Sequence, residues 1–536
     1  MTSPVLVVEN LCVNTLARAP KRILDTVSFD VKPGEMVCVV GESGSGKSVT
    51  SLAIMGLLAR DSLSRPTGRI TLNGEELLEA DQRRLRELRA TQMAMVFQEP
   101  MTALNPVLTV GAQIDEVLRL HTQLGRAERH DRVLEMLRSV HLPEIERIYS
   151  SYPHQLSGGQ RQRIVISMAL ILKPKLLIAD EPTTALDVTT QKQILLLIRE
   201  LQQQNNTAVM FITHDFGVVA EIADRIVVMH QGRVVEVGER DEILSRPRAD
   251  YTRMLVSSVP SLVPHQRPAP VGDIVLNIQK LSKQYGSGPR YAAKDVDLSV
   301  KKGEIVGIVG ESGSGKSTVA RCIVRLIDPT SGQIQIKGHE VGLASRRALR
   351  PLRQRFQIVF QDPYRSLNPR RRVSDSIIEG LVNFGTPHKD ALQRARSLLG
   401  LVGLDESAMH RYPHQFSGGQ RQRICIARAL ALEPDLLVAD EAVSALDVSV
   451  QAQILKLLEA IRSLAGIAIL FITHDLRVAA QICDTVVVMQ KGRVVEAGPV
   501  AAVLSAPRQE YTKTLIESAP GRHWDFQNFR PVEPYP

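Results

Sequence analysis

The sequence predicts an α/β chain made of two tandem copies of one phosphate-binding domain, each built on a mostly parallel sheet. Three observations carry that expectation. Gly41-Glu42-Ser43-Gly44-Ser45-Gly46-Lys47-Ser48 recurs as Gly310 to Ser317, and later motifs recur in the same order at a constant spacing. Short apolar runs, Met36 to Val40 and Ile305 to Val309, lead into those loops and are β-branched enough to be strands. Strands alternate with helical stretches and are apolar on both faces, as in parallel sheets covered by helices.

The elements follow in order, twice. Each half opens with two β segments, Val5 to Val8 and Val27 to Val31, then Ile274 to Ile278 and Val296 to Val300. The buried strand, the glycine loop and a helix come next. A mostly helical middle runs roughly from Asn105 to Leu172 and from Asn368 to Leu432. A continuous apolar strand then ends at Asp180-Glu181 or Asp440-Glu441, and another, Ala208 to Thr213 or Ala468 to Thr473, ends at His214 or His474. The repeat is far too long for a solenoid, so these are whole duplicated domains. The expected boundaries are 1–257 and 273–520, a linker at 258–272 and a tail at 521–536. The seam around the linker holds four prolines and no apolar period.

Bulk composition narrows the function. The 536 residues are 44% hydrophobic and 23% charged, enough for a core in both halves. A net charge of +9 suits anionic ligands or an anionic membrane face. With charges spread and aromatics at 4%, it makes no case for nucleic acid. Cys12, Cys38, Cys322, Cys425 and Cys483 include no CxxC spacing, so neither a zinc site nor a disulfide framework is expected. No apolar run approaches the ~18 residues that span a bilayer. The first residues lack a basic stretch before an apolar one, so no signal peptide is expected.

The loop motif fits G-x-x-x-x-G-K-[ST] between strand and helix, which is its required context. Backbone N–H groups of Gly41, Ser43, Gly44, Ser45 and Gly46, or Gly310, Ser312, Gly313, Ser314 and Gly315, can wrap a phosphate. Lys47 and Lys316 would reach the β/γ-phosphates, and Ser48 and Ser317 would ligate Mg²⁺. Val49 and Thr318 follow. Asp180 and Asp440, ending apolar strands, can meet the metal, and Glu181 and Glu441 can polarise an attacking water. A lone pair of this kind is usually a solvated strand end, and a lone His is usually structural. Their order behind a phosphate loop, twice, overturns both bland readings. Gln98 and Gln361, each ending a predicted strand, can hold metal or water.

Ser157-Gly158-Gly159-Gln160 and Ser417-Gly418-Gly419-Gln420 stand before helix-like stretches. Glycines let a backbone approach an anion, and a helix N-terminus aims N–H groups at it. Phosphate loop, glutamine, SGGQ, Asp-Glu, Ala-Leu-Asp and His, twice over, resemble the nucleotide-binding domains of ATP-binding cassette (ABC) transporters. The resemblance covers nearly the whole chain. It implies two P-loop NTPase cassettes, each a mixed mostly parallel sheet with an inserted helical subdomain and an antiparallel β subdomain. It also implies a head-to-tail pseudo-dimer: Ser157, Gly158 and Gly159 would meet the phosphate held by Lys316, and Ser417, Gly418 and Gly419 that held by Lys47. Asp187 and Asp447 match the loop between the sites.

Gln98 to Pro106, Gln361 to Pro369, and the domain ends Arg246 to Thr252 and Ala506 to Thr512 resemble the dipeptide/oligopeptide/nickel importer subfamily, here fused as in microcin C and related peptide importers. That implies ATP and Mg²⁺, two integral-membrane permease partners docked beside Gln98 and Gln361, an extracytoplasmic solute-binding protein, no nucleic acid, and a place on the cytoplasmic membrane face. With no cysteine beyond Cys483, the subfamily's iron–sulfur cluster is not expected. The rival is a soluble tandem cassette such as a ribosome-associated translation factor, which uses a long charged helical tether.

Departures from the pattern set further expectations. The family's adenine-stacking aromatic falls on Tyr285 in the second half but on Thr15 in the first, and Val49 replaces the hydroxyl of Thr318. The Lys47 site should therefore hold ATP more weakly. Ala442 replaces Pro182, which should loosen the second acidic turn. The tail, which holds the only tryptophan, reads as a frayed terminus with one aromatic anchor, a docked strap being the alternative; the arginine-rich run Asp81 to Ala90 reads as a solvated helix, a membrane-proximal face being the alternative.

Overall fold

The computed structural model describes residues 3–17, 19–98, 103–183, 186–264, 267, 271–286, 288, 290–444 and 446–532. Glu99 to Thr102 of the first glutamine stretch, Ala185 of its Ala-Leu-Asp, part of the linker and the last four residues lie outside the described residues. The chain divides into two compact units. One runs to Val259 and includes Phe526–Pro531; the other spans Pro260–Asp525.

In the first unit, β1 (Leu6–Asn14), β2 (Arg22–Val31), β3 (Met36–Val40), β4 (Thr67–Leu72), β5 (Glu75–Glu76) and β6 (Met93–Val96) precede the helical region. After it come β7 (Leu176–Asp180), β8 (Ala208–Ile212), β9 (Arg225–His230) and β10 (Arg233–Glu239). They form a four-stranded sheet in the order β2-β1-β4-β5 and a six-stranded sheet in the order β10-β9-β3-β8-β7-β6. The first is antiparallel. In the second, β3 pairs parallel with β8 and β9, β7 with β6 and β8, and only β10 runs antiparallel.

Every residue of β3, β7 and β8 is buried. That is why these strands read as unbroken apolar runs: both faces are covered, and each fully buried Val, Ile or Leu contributes roughly 1.5–3 kcal/mol. A core of Val37, Val39, Ile178, Met210, Ile212 and Val227 joins the parallel sheet to the inner faces of β1, β2 and β4.

The second unit repeats the plan. Its strands are β11 (Ile274–Gln284), β12 (Tyr291–Lys301), β13 (Ile305–Val309), β14 (Ser331–Ile336), β15 (His339–Glu340), β16 (Phe356–Val359), β17 (Leu436–Asp440), β18 (Ala468–Ile472), β19 (Thr485–Gln490) and β20 (Arg493–Pro499). Their orders are β12-β11-β14-β15 and β16-β17-β18-β13-β19-β20. The helical regions hold Val110–His121, Arg126–Ser139, Ile145–Ser150 and Gly158–Leu170 in one unit, and Val373–Asn383, His388–Leu401 and Gly418–Leu430 in the other. The expected fold class is the one found.

Asp81 caps a helix over Gln82–Thr91, and the exposed Arg83 and Arg84 pair with Glu87 and Glu75, the arrangement of a solvated helix. The tail is not frayed over its described part: Phe526 is 1% exposed and Asp525 6%.

Both phosphate loops depend on glycine at the helix start. Gly46 and Gly315 cap the following helices at φ 102, and a Cβ on Gly315 would lie 2.2 Å from the carbonyl oxygen of Ala292. Gly315→Ala should therefore destabilise the protein by about 2 kcal/mol or more. Chemical denaturation followed by circular dichroism measures it, and an unchanged midpoint would contradict this packing.

Candidate functional site

Strand order alone gathers the candidate residues. Within one sheet β3, β8, β7 and β6 are consecutive neighbours. The phosphate loop leaves β3, His214 follows β8, Asp180-Glu181 ends β7 and Gln98 follows β6. At about 4.8 Å per strand, residues scattered over the sequence meet along a ridge of about 15 Å, at the carboxyl ends where parallel α/β sheets bind ligands.

Each lysine is sheltered. Lys47 is 6% exposed and donates to the carbonyl oxygens of Gly41 at 2.8 Å and Glu42 at 2.9 Å. Lys316 does the same to Gly310 at 2.7 Å and Glu311 at 2.8 Å. The Ser48 hydroxyl donates to Asp180 Oδ1 at 3.2 Å, and that of Ser317 to Asp440 Oδ1 at 3.0 Å. Burial pushes both carboxyls above the usual aspartate range, and the neighbouring Glu181 and Glu441 add to it; the serine hydrogen bonds and the lysines oppose. A hydroxyl and a carboxylate, hard oxygen donors a hydrogen bond apart, fit a magnesium ion.

The glutamates are set by an unusual backbone. Glu181 and Glu441 take φ 47 and φ 50, the left-handed region. Such a conformation costs a non-glycine residue about 1–3 kcal/mol and persists only where the surroundings impose it. Here they do. The amides of Glu181 and Glu441 donate to Ile212 and Ile472 at 2.9 and 3.0 Å. Gln98 Nε2 donates to Glu181 Oε2, and Gln361 Nε2 to Glu441 Oε2, each at 2.9 Å. His214 Nδ1 lies 3.0 Å from Glu181 Oε1, and His474 Nδ1 3.4 Å from Glu441 Oε2.

Burial works against charge on Glu441, but the hydrogen bond and charge of His474, with Lys316 and Ser444, hold its carboxyl below the ordinary range. Burial also disfavours the His474 imidazolium; the hydrogen bond and charge of Glu441 and the charge of Asp475 outweigh it and hold its pKa up. Glu181 and Glu441 share the same region of φ although Pro182 follows one and Ala442 the other.

The SGGQ segments stand in the helical part of their own units. Ser157 and Ser417 cap the helices Gly158–Leu170 and Gly418–Leu430 in capping boxes with Gln160 and Gln420. The second glycine of each pair has a packing reason: a Cβ on Gly159 would lie 2.5 Å from Thr190 Cγ2, and on Gly419 2.2 Å from Val450 Cγ1. Gly158 and Gly418 meet nothing closer than 3.8 and 4.0 Å, so close approach from outside is left to them. Asp187 caps the helix Val188–Asn205, accepting from Thr190 N at 3.0 Å. Asp447 stands at the same place before Val448–Ala465.

The expected adenine-stacking positions differ from one half to the other: Tyr285 is 54% exposed with Lys283 Nζ 5.2 Å from its ring centre. Thr15 is held by a bridge to Leu63 and accepts from Lys21 N at 2.8 Å. Val49 packs against the core.

Sequence reasoning missed the buttress under the phosphate loops. The amide of Gly232, in the β9–β10 turn, donates to Ser45 O, and that of Gly492 to Ser314 O, each at 3.0 Å. The phenol oxygens of Tyr251 and Tyr511 accept from Glu42 N at 3.3 Å and Glu311 N at 3.1 Å. Both tyrosines lie in the domain-end stretches that marked the subfamily. Their recurrence at matching positions was the available signal.

Comparison with known proteins agrees with this geometry. A family model described as "ABC transporter" matches residues 24–184 and 293–444. Another, "Oligopeptide/dipeptide transporter, C-terminal region", matches 235–294 and 495–529. Similar proteins include "Glutathione import ATP-binding protein GsiA" of Escherichia coli (strain K12), 45% identical over 557 residues, with 96% of this chain and 89% of that protein covered. "Peptidoglycan transport ATP-binding protein YejF" of Agrobacterium fabrum (strain C58 / ATCC 33970) is 45% identical over 531 residues, with 97% of each covered.

Loss of the phenol oxygen should loosen the loop it braces. Tyr251→Phe and Tyr511→Phe each forfeit roughly 1 kcal/mol, so ATP affinity at the altered site should weaken about fivefold. Titration with a fluorescent ATP analogue measures it; unchanged affinity in both variants would contradict the bracing role.

Proposed function

The chain belongs to the ABC transporter family of ATPases, and from that premise we propose that it is the energy-coupling subunit of an importer whose cargo is a peptide. Hydrolytic competence is carried by one observation: in each unit, lysine, serine-aspartate, left-handed glutamate, glutamine and histidine converge at adjacent strand ends. The peptide class is supported by the domain-end match and by relatives named for glutathione and peptidoglycan transport. A translation factor is disfavoured on the same grounds.

In this reading Lys47 and Lys316 bind the β/γ-phosphates of ATP, and the loop amides wrap them. Ser48, Asp180 and Gln98, or Ser317, Asp440 and Gln361, hold Mg²⁺. Magnesium supplies charge neutralisation on the phosphate oxygens. Glu181 and Glu441 accept the proton of the attacking water, and their left-handed backbone aims the carboxylates away from the strand pleat. Gln98 and Gln361 orient those carboxylates. His214 pins Glu181 by its other oxygen and His474 pins Glu441 by the oxygen that Gln361 also holds, and both histidines contact the γ-phosphate. Each SGGQ completes the site of the sibling cassette, so one chain carries the whole pair.

The partners are two permease subunits and an extracytoplasmic binding protein, with this chain on the cytoplasmic membrane face. Among the described residues no helix is long and apolar enough to cross a membrane. Reconstitution with the permeases and binding protein in proteoliposomes tests the cargo. ATP-dependent uptake of a labelled oligopeptide is expected; uptake of nickel without peptide would overturn it.

Two further outcomes are expected. Glu181→Gln and Glu441→Gln should each cut turnover at their own site about 100-fold or more while ATP binding survives; phosphate release measures it, and near-normal turnover would refute the base. Lys316→Ala, which leaves only the Lys47 site intact, should retain weaker ATP binding than Lys47→Ala. Loss of one stacked base costs ~1–3 kcal/mol, and equal residual affinities by calorimetry would sink the asymmetry.

A further inference from the structure

In the first unit the helix Phe216–Ile222 directly follows His214-Asp215. Its last carbonyl, Ile222 O, accepts from Arg199 Nη1 at 2.8 Å. Arg199 belongs to the helix Val188–Asn205 of the same cassette. A cation at a helix C-terminus meets carbonyls that lack partners within the helix.

The second unit cannot repeat this. At the matching place on the helix Val448–Ala465 stands Glu459, and a carboxylate has no proton to give a carbonyl. The guanidinium comes instead from Arg267, in the segment that joins the two cassettes. Arg267 Nη1 donates to Ile482 O at 2.7 Å and to Glu459 Oε2 at 3.1 Å, and Nη2 donates to Gln481 O at 2.8 Å. Asp484 lies 3.5 Å away, and its Oδ2 accepts from Ile305 N, the first residue of β13, at 2.8 Å. A second tie runs from Gln481 Nε2 to Ser261 O at 3.2 Å.

The other end of the helix Leu476–Ile482 is also held by a side chain the first half lacks. Arg477, 8% exposed, grips Asp475 with Nε at 3.1 Å from Oδ1 and Nη2 at 3.0 Å from Oδ2. Its Nη1 reaches Pro520 O at 3.4 Å, at the start of the C-terminal segment. The first half has Gly217 there.

We infer that Arg267 and Arg477 are positioning residues for the second hydrolytic centre, fixing the helix that begins one residue after His474-Asp475. The inference rests on the reading of His474 given above. It makes turnover at the second site conditional on the contacts that Arg267 makes and that Arg477 makes with Pro520. The first site carries its own brace in Arg199.

The test uses the full-length protein carrying Glu181→Gln, so that only the second centre turns over, with kcat and KM for ATP and the melting temperature read together. Arg267→Ala and Arg477→Gly should each lower kcat about tenfold, with KM and the melting temperature little changed. Adding Glu459→Arg and Arg462→Gln to Arg267→Ala should restore kcat, because Arg462, which now pairs with Glu459 and Asp484, stands where the first half has Gln202, and the pair of changes recreates the Arg199 arrangement. Unchanged kcat in both single variants would overturn the inference. So would a loss that follows a lowered melting temperature and resists that added pair. His474→Ala separates the two levels. If it leaves kcat intact, the reading of the centre falls; if it abolishes turnover while both arginine variants stay active, only the positioning role falls.

Discussion

The structure depends on one backbone constraint, the left-handed glutamate after the buried aspartate. In a regular strand successive side chains point to opposite faces, so Asp180 and Glu181 would diverge. A positive φ at Glu181 and Glu441 breaks that alternation at the residue just after β7 and β17. The aspartate then faces the serine of the phosphate loop, and the glutamate faces glutamine and histidine. The backbone cost is met by an amide hydrogen bond to the adjacent strand and by two side-chain partners for each carboxylate. Twice in one chain the same strained turn appears with the same partners, which is what a functional constraint imposes.

From that turn outward, the rest serves to hold the ridge in place. Fully buried parallel strands fix the order of the motif-bearing ends, and glycines at φ 102 let the phosphate loop enter its helix. The β9–β10 turn and Tyr251, with Gly492 and Tyr511 in the second half, brace the loop from beneath. The family's ATP chemistry thus sits on rigid elements, and the two halves differ at their edges. Tyr285 stands open where Thr15 is tied into a local turn, and the brace behind the histidine is local in one half and borrowed in the other.

Much of this was legible in the sequence because its signals are local and repeated. Met36–Val40, Ile305–Val309 and Leu176–Asp180 are continuous apolar runs, and their bounds read directly. Lys47, Asp180, Glu181 and His214 were legible from their order. What escaped depends on distant pairs. Tyr251 reaches the loop across 209 positions and Arg267 reaches Glu459 across 192, and no local pattern announces either. The left-handed turn escaped because glutamate carries no signature of a positive φ. The buried Phe526 escaped because a polar, proline-rich tail reads as frayed when its docking surface is invisible. The role of Gly159 and Gly419 was half legible: glycine was expected for an anion, and the clash with Thr190 and Val450 adds a packing reason.

On this reading one chain carries two complete ATP-hydrolysing centres, each built on its own strained glutamate. The most direct measurement is the number of ATP molecules retained per chain when both bases are disabled together. The Glu181→Gln, Glu441→Gln double variant, incubated with labelled ATP and magnesium and rapidly desalted, should keep two unhydrolysed ATP per chain. Retention of one or none, in protein that melts like the unaltered chain, would contradict the account.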